Sequence, residues 1–268
     1  MRTRLLLIAP ICALAMALPA AAADPPTVRL HAAGSLRAAL TKVLQLFEHE
    51  TGVRVVPVYG ASGLLRERLA AGEAGDVFAS ANMEHPQSLA AAGLAGPVRR
   101  FARNQLCALT APRLAIAPQQ VLATMLDPKV KLGSSTPRAD PSGDYAFQVF
   151  DRAERLQPGA GAALRAKVRT LTGGPDSPQP PPGRNIYGLL VERGDADLFL
   201  TYCTGAVLAR SEVPALHSVA LPPELAVGAD YGVVAMKAAS AEGNRLADYL
   251  LGPQAREILR QAGFGVDP

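Results

Sequence analysis

The chain has 268 residues, of which 49% are hydrophobic and 19% are charged, and its formal net charge is +4. This composition is typical of a globular protein with a sizeable core, on the scale of one large domain or two modest lobes. The charge is too small to indicate nucleic acid or an anionic membrane surface as a partner.

Residues 1–23 have the pattern of a secretory signal peptide. Arg2 and Arg4 precede an apolar stretch over 5–17, and a run of small residues offers a cleavage site after Ala23. The apolar stretch is too short to span a bilayer, and no later segment is apolar enough to do so. We therefore expect an exported, soluble protein whose net charge falls to +2 once the two leader arginines are removed.

After the leader, apolar runs alternate with amphipathic segments. The pattern predicts a first group of strands and helices at 28–32, 36–51, 53–59, 64–71 and 76–80, beginning with a strand and alternating. Gly52 and Gly72 follow the two helices as stop signals. This alternation is typical of a doubly wound α/β unit with mostly parallel strands.

A second group follows a strand at 101–110 that is able to carry the chain into another lobe. We predict helices at 118–126, 145–156, 162–171, 187–193 and 244–261, and strands at 130–134, 197–202 and 231–236. Between them, 173–183 is rich in proline and glycine, so it is predicted to be an exposed loop. The whole chain is therefore predicted to be α/β.

Two short segments place a serine between a strand and a helix. Ser35 ends the sequence Ala-Ala-Gly-Ser, and Ser62 lies within Gly-Ala-Ser-Gly. A helix start presents unpaired backbone N–H groups, and small neighbours let a ligand approach closely. Together with the hydroxyl, these groups are suited to hold an anion without a charged side chain.

Two later helices also begin at a polar residue. Ser142 opens the helix that contains Tyr145, and Asn185 with Ile186 opens the helix at 187. Serine and asparagine are ordinary helix caps, so each of these positions taken alone also fits a purely structural role. Neither Ser62 nor Ser142 fits the G-x-S-x-G pattern of a nucleophilic serine, and no histidine lies in a motif that marks a base.

The cysteines and histidines give weaker indications. Cys107 and Cys203 lie in apolar, strand-like runs, so they form either one disulfide or two buried free thiols. The histidines at 31, 49, 85 and 217 lack the spacing of metal ligands. We interpret them as structural and predict no metal site.

Several segments, in this order, resemble the periplasmic molybdate-binding proteins of ABC uptake systems. The matching pieces are AAGSL (32–36), YGASGL (59–64), GEAGDVFASA (72–81), RNQL (103–106), ADPSGDYA (139–146), GDADL (194–198), Tyr202 and LLGPQA (250–255). They extend from end to end of the mature chain. Each piece is weak alone, but the ordered set is specific.

This resemblance implies a two-lobed type II periplasmic binding fold joined by a hinge. Lobe I would comprise 24–104 and about 237–268, and lobe II about 105–236. The family holds a tetrahedral oxyanion, molybdate or tungstate, between the lobes and passes it to a membrane-embedded permease by docking. No catalysis, cofactor or nucleic acid is implied, and a monomer suffices.

The resemblance also implies a set of site residues. Ser35 and Ser62 would contribute hydroxyls, Ser142 and Ile186 backbone N–H groups, and Tyr202 its phenol. Ser142 adds a hydroxyl where the family usually has none, and the proline-rich loop brings Arg184 near the site. Sulfate or another small anion is an alternative ligand for the same fold. An exported serine hydrolase using Ser62 or Ser142 is a more distant alternative.

Overall fold

The structure is a computed structural model that describes residues 26–267. The predicted signal peptide, 1–23, lies outside the described residues. Within them, no helix is both long enough and apolar enough to cross a bilayer.

Nine strands and ten α-helices make up the described part of the chain. The strands are β1 (Thr27–Ala33), β2 (Arg54–Gly60), β3 (Val77–Ser80), β4 (Arg99–Thr110), β5 (Leu132–Ser135), β6 (Arg169–Thr172), β7 (Leu198–Tyr202), β8 (His217–Ala220) and β9 (Gly228–Ala235). The helices are α1 (Arg37–Thr51), α2 (Ser62–Ala70), α3 (Glu84–Ala91), α4 (Val121–Leu126), α5 (Pro141–Leu156), α6 (Ala160–Lys167), α7 (Ile186–Glu192), α8 (Cys203–Glu212), α9 (Ala241–Tyr249) and α10 (Pro253–Gln261). One 3-10 turn, Gly34–Leu36, precedes α1 and another, Pro118–Gln120, precedes α4.

The strands lie in the order β2-β1-β3-β9-β4-β7-β5-β6, and β8 also pairs with β4. Pairing is parallel among β2, β1 and β3 and among β6, β5 and β7, whereas every pair that contains β4 or β9 is antiparallel. The two parallel groups are the sheets of two lobes. The predicted α/β, two-lobed fold is therefore confirmed, with sheets of mixed direction.

The long strand β4 joins the lobes. Its first half pairs with β9, which in turn pairs with β3, and its second half pairs with β7 and β8. Strand pairing thus groups β9 with the sheet of the first lobe and β5 to β8 with the second. The lobe boundaries proposed from the sequence, including the return near 236, stay a prediction.

Helices cover both faces of the sheets, as a doubly wound fold requires. In α1 the buried residues recur at helical spacing, on the face that packs toward the sheet (Ala39, Leu40, Val43, Leu44, Phe47). The opposite faces of the first and second sheets are covered by separate buried clusters, centred on Phe78 and Phe199. Gly52 ends α1 in the left-handed conformation at φ 70°, as its sequence position predicts.

Some predicted elements were wrong. The single helix predicted at 244–261 is two helices, because Pro253 has no N–H to continue α9 and instead starts α10. The helix predicted at 162–171 ends at Lys167, and β6 follows it. The short elements α3, α8, β6 and β8 had no clear periodicity in the sequence and were not predicted.

Cys107 and Cys203 form a disulfide that links β4 to the first residue of α8, across a sequence separation of 96 residues. Their Cα atoms lie 4.9 Å apart, within the range that a disulfide bridges. The sequence allowed either one disulfide or two free thiols, and the structure has the disulfide.

Candidate functional site

The first lobe brings Ser35 and Ser62 to the same edge of its sheet. β1 and β2 are parallel neighbours with Ala33 opposite Gly60, so their carboxyl ends lie side by side. Ser35 lies in the 3-10 turn after β1, and Ser62 is the first residue of α2 after β2. Helix starts have backbone N–H groups without an intrahelical acceptor, so each serine combines a hydroxyl with such groups.

Ser35 belongs to a hydrogen-bonded chain of side chains on the paired strands β4 and β9. Its hydroxyl lies 3.0 Å from the phenol oxygen of Tyr231 on β9. Asn104 on β4 donates to the same phenol oxygen at 3.4 Å and to the hydroxyl of Thr204 on α8 at 2.8 Å. These hydrogen bonds connect a predicted site residue to β9, to the joining strand β4 and to α8.

Ser62 and Tyr202 meet at Ala81, the residue after β3. The Ser62 hydroxyl accepts from the backbone N–H of Ala81 at 3.1 Å, and the Tyr202 phenol donates to the carbonyl oxygen of Ala81 at 3.4 Å. Both side chains are almost fully buried. Since Tyr202 ends β7 and Ser62 begins α2, the two lobes bring these predicted residues to one place.

Three tyrosine rings pack together next to the contact of Ser62 and Tyr202 with Ala81. Tyr202 packs against Tyr231 and Tyr145, with ring centroids 5.6 and 6.3 Å apart. Burial raises the pKa of all three phenols above their ordinary value of 10.0. The phenols therefore remain neutral hydroxyl groups at neutral pH.

Ser142 presents a different group from the one expected. Its backbone N–H donates to the Asp140 carboxylate at 3.0 Å, and the N–H of Gly143 donates to the Asp140 carbonyl oxygen at 2.8 Å. Its hydroxyl is fully buried and has no hydrogen-bond partner among the described residues. The hydroxyl is thus the open group at this position, while the N–H already has an acceptor.

Asp140 caps the start of α5 and lies against Gly173, the first residue of the proline-rich loop. A Cβ on Gly173, whose φ is +80°, would lie 2.6 Å from the Asp140 Cβ, so the loop covers this side chain closely. Burial raises the pKa of Asp140 to about 6, against the opposing effect of the Ser142 N–H and the Ser135 hydroxyl. The carboxyl therefore changes charge in the mildly acidic range.

Ile186 is the first residue of α7, and Asn185 caps that helix by accepting from the N–H of Gly188 at 3.0 Å. The neighbouring Arg184 pairs with Glu192 at 2.5 Å and with Glu212 at 3.3 Å. Its charge is therefore balanced by two carboxylates of its own lobe. The role proposed for the Ile186 N–H stays a prediction.

The lobes touch beside these residues. The backbone N–H of Gly63 in α2 donates to the carbonyl oxygen of Ala139, just before α5, at 2.8 Å. A cavity of about 670 Å³ lies beside β4 and β9, and its wall includes Asn82, Asn104 and Tyr145. Asn104 connects this cavity to the hydrogen-bonded chain that ends at Ser35.

The serine hydrolase alternative requires a base at Ser62 or Ser142. Within residues 26–267, the Ser62 hydroxyl is bonded to a backbone N–H, and the Ser142 hydroxyl is bonded to no histidine or carboxylate. No geometric observation favours this alternative.

A two-lobed α/β fold with neutral donors gathered where the lobes meet is the architecture of a solute-binding protein. A family described as "Bacterial extracellular solute-binding protein" matches residues 28–265, and the chain belongs to this family. Its members are extracellular or periplasmic components that bind solutes for transport.

Three relatives show the extent of the similarity. The chain is 37% identical over 241 residues to the uncharacterized protein PM1146 of Pasteurella multocida, covering 88% of this chain and 98% of the relative. It is 28% identical over 262 residues to the molybdate-binding protein ModA of Escherichia coli, covering 92% and 91%. The structure of the Azotobacter vinelandii periplasmic molybdate-binding protein matches with a TM-score of 0.73 at 20% identity, covering 90% of this chain and 100% of that one.

Proposed function

We propose that this protein captures molybdate, or the similarly sized tungstate, between its lobes and delivers it to a membrane-embedded ABC permease by docking. The observation that carries the proposal is the position of Ser35 and Ser62 at adjacent strand ends, with Tyr202 of the other lobe beside Ser62. The similarity to a molybdate-binding protein of Escherichia coli supports this choice of ligand.

The donor set fits a small oxyanion. The hydroxyls of Ser35, Ser62 and Ser142, the Ile186 N–H and the Tyr202 phenol are all neutral and lie on structured elements. Such groups select by cavity size and by whether each donor is satisfied, because an unpaired buried donor is costly. Sulfate or another small tetrahedral anion would use the same groups, so the choice among anions requires measurement.

The mechanism we propose is hinge closure. The donors come from both lobes, so a bound anion bridges them and stabilises the closed arrangement. After removal of residues 1–23 the protein would work in the periplasm as a monomer, with no nucleic acid or cofactor. Closure would then present a loaded surface to the permease.

Calorimetric titration of the purified, anion-free protein tests the proposal. Molybdate and tungstate are expected to bind tightly, with little heat from sulfate or phosphate. If the protein preferred sulfate or phosphate, it would still be a solute-binding protein, but its ligand would be that anion instead of molybdate. Absence of binding to all four anions would contradict the proposal, and labelling by a serine-directed probe that is lost in Ser62→Ala would favour the hydrolase.

A further inference from the structure

The hydrogen bonds that lead to Ser35 have a direction, and Asn104 sets it. The backbone N–H of Gln105 donates to the side-chain oxygen of Asn104 at 2.9 Å, which fixes the orientation of the amide. The amide nitrogen is then left to donate to the Thr204 hydroxyl at 2.8 Å and to the Tyr231 phenol oxygen at 3.4 Å. An amide NH₂ group donates and does not accept, so the Tyr231 oxygen is the acceptor in this contact.

Tyr231 keeps one proton of its own to donate. Burial raises the pKa of this phenol above its ordinary value of 10.0, so the phenol is neutral and donates one hydrogen bond. The Ser35 hydroxyl oxygen lies 3.0 Å from the phenol oxygen, a good distance for that bond. The Tyr202 phenol is also a neighbour, but its hydrogen bond goes to the Ala81 carbonyl oxygen.

The Tyr231 ring is held rigidly, whereas the Ser35 hydroxyl is not. Tyr231 has no exposed surface, and its ring packs against those of Phe101, Tyr202 and Phe264, with centroids 6.5, 5.6 and 5.5 Å away. Ser35 is only half-buried and lies in a 3-10 turn. A serine hydroxyl rotates to suit its partners. The phenol is therefore the fixed group to which the hydroxyl adjusts.

The direction of these bonds decides what Ser35 offers to a ligand. Its hydroxyl has one proton and two lone pairs. When its oxygen accepts from Tyr231, the proton is left for another acceptor. In the part of the chain that the structure describes, the Ser35 hydroxyl makes no other hydrogen bond. Each bond in such a chain also polarises the next, which makes the last hydroxyl a better donor.

We propose that Tyr231 is a positioning residue for anion binding: its phenol donates to the Ser35 oxygen and so turns the Ser35 proton toward the bound oxyanion. The inference rests on the proposed function, because it explains how one donor of the same site is oriented. Tyr231 itself does not contact the anion. The donors run from β4 through β9 to the turn after β1, so the pairing of the two long strands sets the state of Ser35.

The test is a double-mutant cycle with molybdate titration, using Tyr231→Phe, Ser35→Ala and the two together. Phenylalanine keeps the ring and removes the hydroxyl. An unguided Ser35 hydroxyl has about three staggered positions, of which one points at the anion, so Tyr231→Phe should weaken binding about threefold. In the Ser35→Ala background there is no hydroxyl to orient, so the same change should leave affinity unchanged.

Tyr249→Phe is the matched control. It also removes a phenol hydrogen bond, the one to Glu50 at 3.0 Å, but this bond has no link to Ser35. Its affinity for molybdate should equal that of the wild-type protein. Thermal unfolding of each anion-free variant checks that it is folded.

Two results overturn the inference while wild-type protein still binds molybdate. One is unchanged affinity in Tyr231→Phe, whether or not its unfolding midpoint falls, which would leave the phenol a role in the fold alone. The other is an equal loss with and without the Ser35 hydroxyl, which would mean that Tyr231 acts on the anion or through Tyr202. Failure of the wild-type protein to bind molybdate, tungstate, sulfate or phosphate would overturn the proposed function itself, and the inference with it.

Discussion

The backbone N–H of Gly63 donates to the carbonyl oxygen of Ala139 at 2.8 Å and so joins the first turn of α2 to the second lobe. A Cβ at position 63 would lie 2.2 Å from the Arg138 carbonyl oxygen and 2.7 Å from that of Ala139. Real Cβ atoms do not approach backbone atoms so closely. The contact between the lobes therefore requires glycine at position 63.

Gly63→Ala should weaken anion binding without touching the anion. The added methyl group would hold the lobes apart, and donors of the second lobe would no longer reach the ligand. We expect molybdate affinity to fall by tenfold or more in calorimetry, about the effect of losing one hydrogen bond to an anion. The variant also loses the bond from the Gly63 N–H to the Ala139 carbonyl oxygen, so the free energy of unfolding of the anion-free protein should fall by about 1 kcal/mol.

Gly96→Ala is the control for that variant. A Cβ at position 96 would lie 3.6 Å from its nearest neighbour, the Ala235 carbonyl oxygen, which is an ordinary contact distance. This variant should bind molybdate like the wild-type protein. Equal affinities for Gly63→Ala and Gly96→Ala would show that closure at Gly63 does not contribute to binding.

Ser35→Ala and Ser62→Ala should each reduce molybdate affinity by about tenfold, because each removes a donor to a charged ligand. The Ser62 variant also leaves the Ala81 N–H without its acceptor, which costs about 1 kcal/mol of unfolding free energy. In the Ser35 variant Tyr231 keeps its bond from Asn104. Neither variant should unfold the protein, as circular dichroism can verify.

Ser88→Ala provides the comparison for these serines. Its hydroxyl donates to the His85 carbonyl oxygen on α3 and is exposed to solvent. Unchanged affinity is expected for this variant. If Ser35→Ala and Ser62→Ala also kept full affinity, both serines would be removed from the proposed site.

The raised pKa of Asp140 predicts a pH dependence. Burial raises this pKa from 3.8 to about 6, so the folded protein holds the proton more tightly than the unfolded chain. Its contribution to stability is therefore present at low pH and is lost as pH rises from the unfolded pKa through the folded one. A charged Asp140 would also repel a nearby anion, so molybdate affinity should fall over the same interval.

Asp140→Asn isolates this effect. Asparagine keeps the helix cap but does not titrate. In this variant the unfolding midpoint and the molybdate affinity should therefore both change less with pH than in the wild-type protein. Asp144, whose pKa is also raised by burial, remains as a source of residual slope. Thermal unfolding and calorimetry across this pH interval provide the measurement, and identical slopes in both proteins would exclude Asp140.

The disulfide between Cys107 and Cys203 should support stability rather than binding. It closes a loop of 96 residues, and a native disulfide of this kind contributes about 2–5 kcal/mol. The double variant Cys107→Ala and Cys203→Ala should unfold at lower temperature but bind molybdate with unchanged affinity. An unchanged unfolding midpoint would show that the bond does not stabilise the fold.

Much of the fold could be predicted from the sequence because its signals are local. The apolar period of α1 and its end at Gly52 depend only on neighbouring residues. The break at Pro253 was missed because the apolar side continues across it from Leu250 to Ile258. β8, which pairs with β4, depends on a distant partner for its hydrogen bonds, and no local pattern shows that.

The same distinction applies to the candidate site. Ser35 and Ser62 are recognisable because small residues surround them in the sequence. Tyr231 and Asn104 join the hydrogen-bonded chain only through the pairing of β4 with β9, so their sequence neighbourhoods gave no reason to assign them a role.

Anomalous diffraction from crystals grown with molybdate tests the central claim most directly, because the scattering of molybdenum identifies the position of the anion. We predict one strong anomalous peak between the lobes. Its position should place the oxygens of the anion within hydrogen-bond distance of Ser35, Ser62 and Tyr202. A peak elsewhere on the molecule, or none from crystals soaked in excess molybdate, would contradict the proposed site.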